Sequence, residues 1–427
     1  MAMLLDLTPL RVSPQFRRLW LGLGVSNLGN QLTIVAVGLQ VYAISGSTLS
    51  VGILGFCALV PLIALGLYGG ALVDAYDRRT VALLSAAALF VVTAALAAQA
   101  WLHVDSVILL YVLVGLQSAA FAINNPARTA IIPRLLEPRL LPAANVLTTT
   151  AWNIGLTAGP LVGSLLVAVF DFSAAYGLDL VMFTAALWAL WRLPALPPEG
   201  VADHPQRKSG LASVLEGLRY LATRSNVRMT FVVDLIAMIF AMPRVLLPAV
   251  GVVFLGGGAT TTGLLSTAFA IGAVLAGFFS GGLVGARWQG RLVYVAIVVY
   301  GLSIAAFGVV LIMVGPTNPT SVVIPGLIVA MIFLAIAGGS DAVSAVFRQT
   351  ILQTATPDSM RGRLQGVFIV VVAGGPRLGD LVLGAGASWL NEGLAALAGG
   401  LTCVTVLTIV TLRQRRFLAY DARHPVP

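Results

Sequence analysis

Six charged residues interrupt long apolar stretches of this 427-residue chain. A charge in apolar surroundings is costly unless it meets a partner, a polar cavity or a proton. Four of the six are aspartates, whose carboxyl groups can bind and release a proton, and two are arginines, which can bind an anion or pair with an acid. The six are Asp179, Asp234, Arg244, Asp341, Arg377 and Asp380.

Spacing alone does not decide which aspartate would carry a proton. Burial without a cation favours the uncharged acid, whereas an acid paired permanently with arginine would not exchange protons usefully. Asp380 follows Arg377 by three residues, so a local ion pair is available there. We predict that Asp234, Asp341 and Asp380 contain the proton site and that Arg244 and Arg377 determine the charge preference of a bound molecule.

Amide side chains form a second polar set. Asn27, Asn30 and Gln31 share one helix face because they are spaced by three and four residues, and Gln117 lies in a later apolar run. Amides facing hydrocarbon would leave their hydrogen bonds unmade, so this face must meet other helices or water. Interhelical contacts and the lining of a substrate cavity both remain open for it.

The elements that carry these residues are membrane helices. With 59% hydrophobic and 10% charged residues, the chain is far too apolar for a water-soluble globule. Runs of about 20 apolar residues predict twelve transmembrane helices. They lie near 17–44, 50–73, 80–102, 107–123, 146–170, 174–192, 229–255, 262–285, 292–315, 321–345, 364–390 and 393–412.

Basic residues alternate between the predicted loops. All of the 25 Lys and Arg except Arg244 and Arg377 fall at the termini or in every second loop. Positive charge accumulates on the cytoplasmic side, so both termini are predicted to be cytoplasmic. The net charge of +9 is thereby explained without nucleic acid, which we do not expect as a partner.

The two halves of the chain repeat each other. At an offset of 220, Arg128 aligns with Arg348, and at an offset of 212, Arg79 aligns with Arg291. Duplicated six-helix units with a site near the midplane are a transporter architecture. The predicted division is a bundle over 1–192, a cytoplasmic linker with an amphipathic helix over 193–228, and a second bundle over 229–427.

Two motifs connect these elements. A charged hinge between the second and third helices contains Gly70, Asp74, Arg78 and Arg79. The stretch after the fourth helix, around Arg128, is predicted to be a cytoplasmic connection. In the fifth helix, small residues four apart allow a neighbouring backbone to approach, and a proline bends the helix. These residues are Gly155, Gly159, Pro160 and Gly163.

These motifs carry a resemblance to a known family. The hinge resembles the G-x-x-x-D-x-x-x-R-[RK] loop of the major facilitator superfamily, although Ala75 and Asp77 depart from its pattern, and the fifth helix is similar to the G-x-x-x-G-P-x-x-G motif of its proton-coupled exporters. GSTLSVG at 46–52, MPRVLLPA at 242–249 and QTATPDSMRGR at 353–363 resemble its bacterial branch of siderophore and macrolide exporters. The resemblance implies an all-α fold of two pseudo-symmetric six-helix bundles. It also implies that Asp74 and Arg78 lock the outward-facing state of the transport cycle, with Arg128 or Arg139 as the partner.

The sequence excludes most energy sources. The single lysine, Lys208, rules out a Walker-type phosphate loop, and no histidine falls in a predicted membrane helix to bind haem or a metal. Cys57 and Cys403 are surrounded by aliphatic residues and suggest neither a disulfide framework nor a metal site. We therefore expect no enzyme activity, no cofactor and no metal, with a proton gradient as the energy source.

Together these features predict a secondary active exporter that works by alternating access and proton antiport. The predicted cargo is a siderophore of the enterobactin type or a similar amphiphilic small molecule. A multidrug or macrolide efflux pump is the alternative, and a non-transporting membrane sensor or a lipid flippase is the alternative of another class. We expect a multi-pass monomer in the bilayer of the bacterial inner membrane.

Overall fold

The computed structural model describes residues 6–197, 211–279 and 286–423. Within these ranges the backbone alone is described at 67–71, 74, 211–215, 278–279 and 358–359, and likewise at 361–363, 365–366, 368–370 and 372–373. The described residues pack into two units. One contains those up to Gln40 and from Cys57 to 197, and the other contains Val41–Phe56 and those from Leu211 onward. The domain boundaries expected from the sequence remain a prediction.

The first unit is built from long helices with short connections. The helices are α1 (Thr8–Val12), α2 (Pro14–Ser45), α3 (Thr48–Ala75), α4 (Arg78–Trp101), α5 (Val107–Leu135), α6 (Leu141–Val169) and α7 (Phe172–Trp191), with a 3₁₀ turn at Pro138–Leu140. Helix α4 packs against α5 and α7, and α6 packs against α7. The C-terminal end of α2, from Val41, and the N-terminal part of α3, up to Phe56, belong to the second unit.

The second unit repeats this arrangement with one broken helix. Its helices are α8 (Leu211–Thr223), α9 (Ser225–Ala241), α10 (Leu247–Ala249), α11 (Gly258–Phe279), α12 (Gln289–Val314), α13 (Ile324–Thr354), α14 (Asp358–Leu390), α15 (Glu392–Arg413) and α16 (Arg415–Leu418). A 3₁₀ turn at Pro243–Leu246 and a π turn at Val250–Phe254 flank α10. Helix α8 lies in the region predicted as the linker, and it packs on α9 and α14.

The internal repeat is visible in the backbone. Asp171 before α7 and Asn391 before α15 are separated by the offset of 220, and both adopt a positive φ, 104° and 101°. Such a conformation is rare for residues other than glycine, so its recurrence at equivalent positions supports a duplicated unit. The all-α fold of two six-helix bundles follows from this repeat.

The described helices carry the surface of a membrane protein. Eleven of them are long and apolar enough to cross a bilayer, and the remaining predicted span, 364–390, lies in α14. Apolar side chains such as Leu84 and Val91, two turns apart on α4, are exposed. Trp101 and Trp191 end their helices with exposed rings, as expected at a membrane boundary.

Two helices are longer than the sequence predicts. The stretch around Arg128 was expected to leave the helix, but α5 continues through Pro126 and Pro133 to Leu135. Helix α13 likewise continues past Arg348. Membrane helices tolerate proline where neighbouring groups satisfy the backbone. Arg128 and Arg348 therefore lie in helices and not in the predicted loops.

Candidate functional site

The amide face of α2 and the glycine face of α6 meet each other. A Cβ atom at Gly155 would collide with the Asn27 side chain, and one at Gly159 would collide with Gln31. The Asn27 Nδ2 atom donates a hydrogen bond to the Trp152 carbonyl at 3.4 Å. The sequence predicts that small residues of the fifth membrane helix allow another helix to approach closely. In the structure this fifth membrane helix is α6, and the helix that approaches it is α2.

The motif continues by one more turn without a break in the helix. A Cβ at Gly163 would lie 3.0 Å from the Leu32 Cα atom, so the backbone of α2 follows the whole glycine face. Pro160 lies inside α6, which continues from Leu141 to Val169. A role for these residues in conformational change remains a prediction.

A cavity of about 110 Å³ opens in the first unit. Asn27, Asn30 and Gln117 line it, whereas Gln31 is not among its lining residues. Its walls also hold five aromatic side chains, namely Phe16, Trp20, Phe121, Trp152 and Phe183. Its amides thus lie beside aromatic walls, a combination suited to an amphiphilic small molecule.

Arg128, which the sequence places in a gate, lies in the wall of this cavity. Its Nη1 atom donates to the Asn124 Oδ1 atom at 3.2 Å. Asn124 is fully buried, and its amide donates to Ala82 O and Ser85 Oγ of α4, both at 3.0 Å. Among the described residues, no carboxylate lies within ion-pair distance of Arg128, so its charge is available to the cavity.

Asp179 is the acid in the same cavity wall. Its side chain is almost fully buried, at 1% exposure. The Thr33 hydroxyl donates to its Oδ2 atom at 2.5 Å, and no donor in the described part of the chain bonds its Oδ1 atom. Asp179 is also one of the six charged residues that the sequence indicates, but it was not among the predicted proton sites.

In the second unit, two carboxylates share one arginine. Arg348 forms an ion pair with Asp234, and its Nη2 atom lies 3.6 Å from the Asp341 Oδ1 atom. The side chains of Arg348 and Asp234 are 10% and 9% exposed, whereas that of Asp341 is 29% exposed. When all three are charged, the cluster has an excess negative charge, and a proton on Asp341 would remove it.

Arg244 and Asp380 form another ion pair of this unit. The sequence offers Arg377, three residues before Asp380, as a local partner. The structure instead pairs Asp380 with Arg244, because the 3₁₀ turn Pro243–Leu246 presents Arg244 to α14. Arg377 makes no ion pair among the described residues, so the three residues together have an excess positive charge.

The hinge between α3 and α4 is shorter than its sequence suggests. Arg79 donates to the Leu190 and Trp191 carbonyls at the end of α7, at 3.4 and 2.6 Å, and Arg78 donates to Ala130 O of α5 at 3.4 Å. At Gly70 and Asp74 the backbone alone is described, so the expected lock is not visible. Both arginines join α4 to neighbouring helix ends.

Asp77 caps α4 and fixes the chain that follows α7. It accepts from Thr80 N at 2.7 Å and from Leu196 N at 2.5 Å. Partial burial raises the pKa of the Asp77 carboxyl, but these hydrogen bonds and the nearby Arg79 charge outweigh burial, so its pKa lies below the ordinary 3.8. Sequence reasoning treated Asp77 only as a departure from the motif.

Sequence reasoning also missed Arg348, for which a signal existed. It was assigned to a cytoplasmic loop, yet it lies buried between two acids in α13. The signal is its alignment with Arg128 at the offset of 220, which indicates that the two arginines occupy equivalent positions in the repeat. Among the described residues, no group of His, Cys, Asp or Glu could hold a metal ion.

Comparisons with known proteins agree with this architecture. The sequence profile described as "Transmembrane secretion effector" matches residues 5–424. The enterobactin exporter EntS of Citrobacter koseri is 30% identical over 433 residues, which cover 99% of this chain and 97% of that protein. The enterobactin exporter EntS of Shigella boydii is 30% identical over 423 residues, covering 97% and 96%.

Solved structures show the same fold at low sequence identity. The nucleoside transporter NupG superposes with a TM-score of 0.72 at 12% identity, covering 94% of this chain and 99% of that one. A peptide transporter of the POT family superposes with a TM-score of 0.72 at 14% identity, covering 95% of each chain. At such identity the likeness supports the fold alone.

Proposed function

The chain belongs to the transmembrane secretion effector family of major facilitator exporters, and from this premise we propose that it exports a siderophore of the enterobactin type in exchange for protons. It is a multi-pass membrane transporter and not an enzyme. Its proposed setting is the bacterial inner membrane, as a monomer with both termini in the cytoplasm. The relatives' printed activity motivates the cargo, and the charges inside the helices motivate the mechanism.

The observation that carries the proposal is the opposite excess charge of two clusters in one unit. Asp234 and Asp341 share Arg348, which leaves one negative charge for a proton to neutralise. Asp380 pairs with Arg244, whereas Arg377 makes no ion pair among the described residues, which leaves one positive charge for an anionic or catechol-bearing cargo. Buried charges of this kind mark ion and substrate pathways in membrane proteins.

Asp341 is the proposed proton-accepting member of the first cluster. Its contact with Arg348 is the longer one at 3.6 Å, and its side chain is more exposed than that of Asp234. A carboxyl group held loosely at the edge of an ion-pair cluster can exchange its proton without breaking the buried pair. Asp234 and Asp380 are proposed to neutralise the arginines with which they pair, Arg348 and Arg244.

Transport by purified protein in proteoliposomes tests the proposal. An imposed proton gradient should drive uptake of a tris-catechol siderophore in the wild type, and Asp341→Asn should abolish accumulation against a gradient. Asp105→Asn is the matched control, because this acid lies in an exposed loop, and it should transport normally.

The alternative functions predict other outcomes. Transport of a cationic dye without the siderophore would identify a multidrug pump, and movement of labelled lipid would identify a flippase. No flux of any of these would favour a non-transporting sensor. Full gradient-driven accumulation in Asp341→Asn would refute the assigned proton site.

A further inference from the structure

Asp179 differs from the other three aspartates inside the predicted membrane helices because no described cation neutralises it. Asp234 and Asp341 contact Arg348, and Asp380 contacts Arg244. The Asp179 carboxyl group has one described donor, the Thr33 hydroxyl, and its Oδ1 atom lies against Gly29 of α2 without a donor.

The fold does not require an acid at this position. At the offset of 220, Asp179 corresponds to Gly399 of α15, where a Cβ atom would collide with the Phe240 carbonyl of α9. In the first unit the small residue is on the other helix, because a Cβ at Gly29 would lie 3.1 Å from the Asp179 Cα atom. The close helix packing recurs, whereas the carboxyl group belongs to the first unit alone.

The charged groups on the surrounding helices do not pair with Asp179. Arg79 and Arg78 of α4 bind carbonyls at Leu190, Trp191 and Ala130, and Leu190 is 11 residues beyond Asp179 along α7, about 16 Å at the helical rise. Tyr176 of α7 donates to Gln40. The other titratable groups are Arg17, Arg18 and Tyr42 on α2 and Tyr111 and Arg134 on α5, while α6 has none.

Arg128 is the one titratable group that shares the cavity wall with Asp179 among the described residues. It is bonded to Asn124 and makes no ion pair with Asp179. The cavity therefore presents an arginine and a separate acid to whatever enters it. A buried carboxylate without a cation is unfavourable, and a proton removes its charge.

We propose that Asp179 is a proton-exchange site that opens on the cavity of the first unit, separate from the Asp234–Arg348–Asp341 cluster. The inference deepens the proton-driven export proposed above. In its neutral form Asp179 carries a proton on Oδ1, while Oδ2 accepts from Thr33. Release of that proton places a negative charge in the wall of the cavity, so loading of the site and occupancy of the cavity are coupled.

Infrared difference spectroscopy of the full-length protein tests the proton site without any cargo. In an Asp341→Asn background, which removes the other proposed proton acceptor, the protein should show a protonated-carboxyl C=O band that titrates reversibly with bulk pH, and adding Asp179→Asn should remove this band. Thr33→Val should shift the band to higher frequency, because the carbonyl loses its hydrogen bond. Thr157→Val is the matched control, since its hydroxyl bonds Asn153 O on α6, and it should leave the band unchanged.

Two infrared results would overturn the proposal. A band that persists in Asp179→Asn would belong to another acid, and a band that does not respond to bulk pH would mean a permanently protonated side chain. Thr33→Val keeps the assignment testable even if Asp179→Asn does not fold, because an unshifted band would also contradict it.

Transport then separates this inference from the proposed cargo. With a tris-catechol siderophore as probe, Asp179→Asn should lose gradient-driven accumulation and retain exchange of labelled for unlabelled probe. Unchanged accumulation would overturn the coupling role. If the wild type moves no probe but the band titrates and depends on Asp179, the proton site holds and the cargo proposal fails.

Discussion

Single side chains in the second unit decide how buried charge is tolerated. Arg348 is nearly buried and neutralises Asp234 while contacting Asp341 more loosely. Its counterpart Arg128 at the offset of 220 has a hydrogen bond to Asn124 and no carboxylate in reach among the described residues. The same repeated position thus serves an ion-pair cluster in one unit and a cavity wall in the other.

Removing Arg348 should destabilise the protein strongly. Arg348→Gln leaves the buried Asp234 carboxylate and the partly exposed Asp341 carboxylate without a cation, and loss of one partner of a buried pair costs about 3–5 kcal/mol. Adding Asp234→Asn should recover part of this loss, since one of the stranded charges is gone. Thermal unfolding in detergent can be followed by a thiol-reactive dye on buried Cys403, in a Cys57→Ser background.

Asp341→Asn is the control for that series. It leaves the Arg348–Asp234 pair intact and should cost far less stability than Arg348→Gln. If Arg348→Gln unfolded at the wild-type temperature, the ion pair would make no contribution to stability. That result would contradict the charge balance assigned to the cluster.

Helix ends form a second level of organisation. In the first unit Arg79 binds the carbonyls that end α7, and in the second unit the aligned Arg291 binds Leu418 O, at the end of α16, at 3.2 Å. Basic side chains are favourable at helix C-termini, where carbonyl groups lack intrahelical partners. The predicted hinge therefore also links α4 to the C-terminal end of α7.

Asp77→Ala should weaken the connection between α4 and the chain that follows α7. It removes the N-cap of α4 and the bond to Leu196 N, and loss of a cap alone costs about 1 kcal/mol. Ser106→Ala is a matched control, because Ser106 caps α5 through Leu109 N but makes no second contact to a distant segment. A larger loss of thermal stability in Asp77→Ala measures the Leu196 link.

The Asp77 contribution should depend on pH in a defined direction. Its folded-state pKa lies below 3.8, so the stabilisation is complete above pH 3.8 and disappears as pH falls through the lower folded value. The difference in unfolding temperature between wild type and Asp77→Ala should therefore shrink on acidification. A difference that grew with acidification would contradict this assignment.

The whole molecule is a duplicated membrane transporter whose two units have diverged in their polar residues. The repeat preserves the positive φ of Asp171 and Asn391 and close glycine packing. It does not preserve Asp179, whose equivalent is Gly399. Divergence of this kind places different charges in the two units while the shared packing is retained.

Orientation in the membrane is testable at this scale. The basic residues predict that the loop at Asp105 is external and the turn at Glu137 is cytoplasmic, and both residues are exposed. In a background with Cys57 and Cys403 replaced by serine, a membrane-impermeant maleimide should label Asp105→Cys in intact cells. Glu137→Cys should react only after permeabilisation, and the reverse pattern would overturn the predicted topology.

The sequence alone determined the class, the helices and the duplication. Apolar composition, runs of about 20 residues and a constant offset are properties of the chain itself, because each membrane helix satisfies its own backbone hydrogen bonds. The same reasoning located the glycine face of α6 and the amide face of α2 separately. It also identified all six charges within the apolar runs.

Only the tertiary structure decided which of these groups meet. Asp380 pairs with Arg244 instead of Arg377, Arg348 lies between two acids instead of in a loop, and Asp179 lies in a cavity wall without a cation. Which side chains pair depends on the rotation of each helix about its axis, on the lengths of α5 and α13, and on the interruption of the helix before Pro243. These quantities arise from packing between distant segments, and residue spacing along one helix does not contain them.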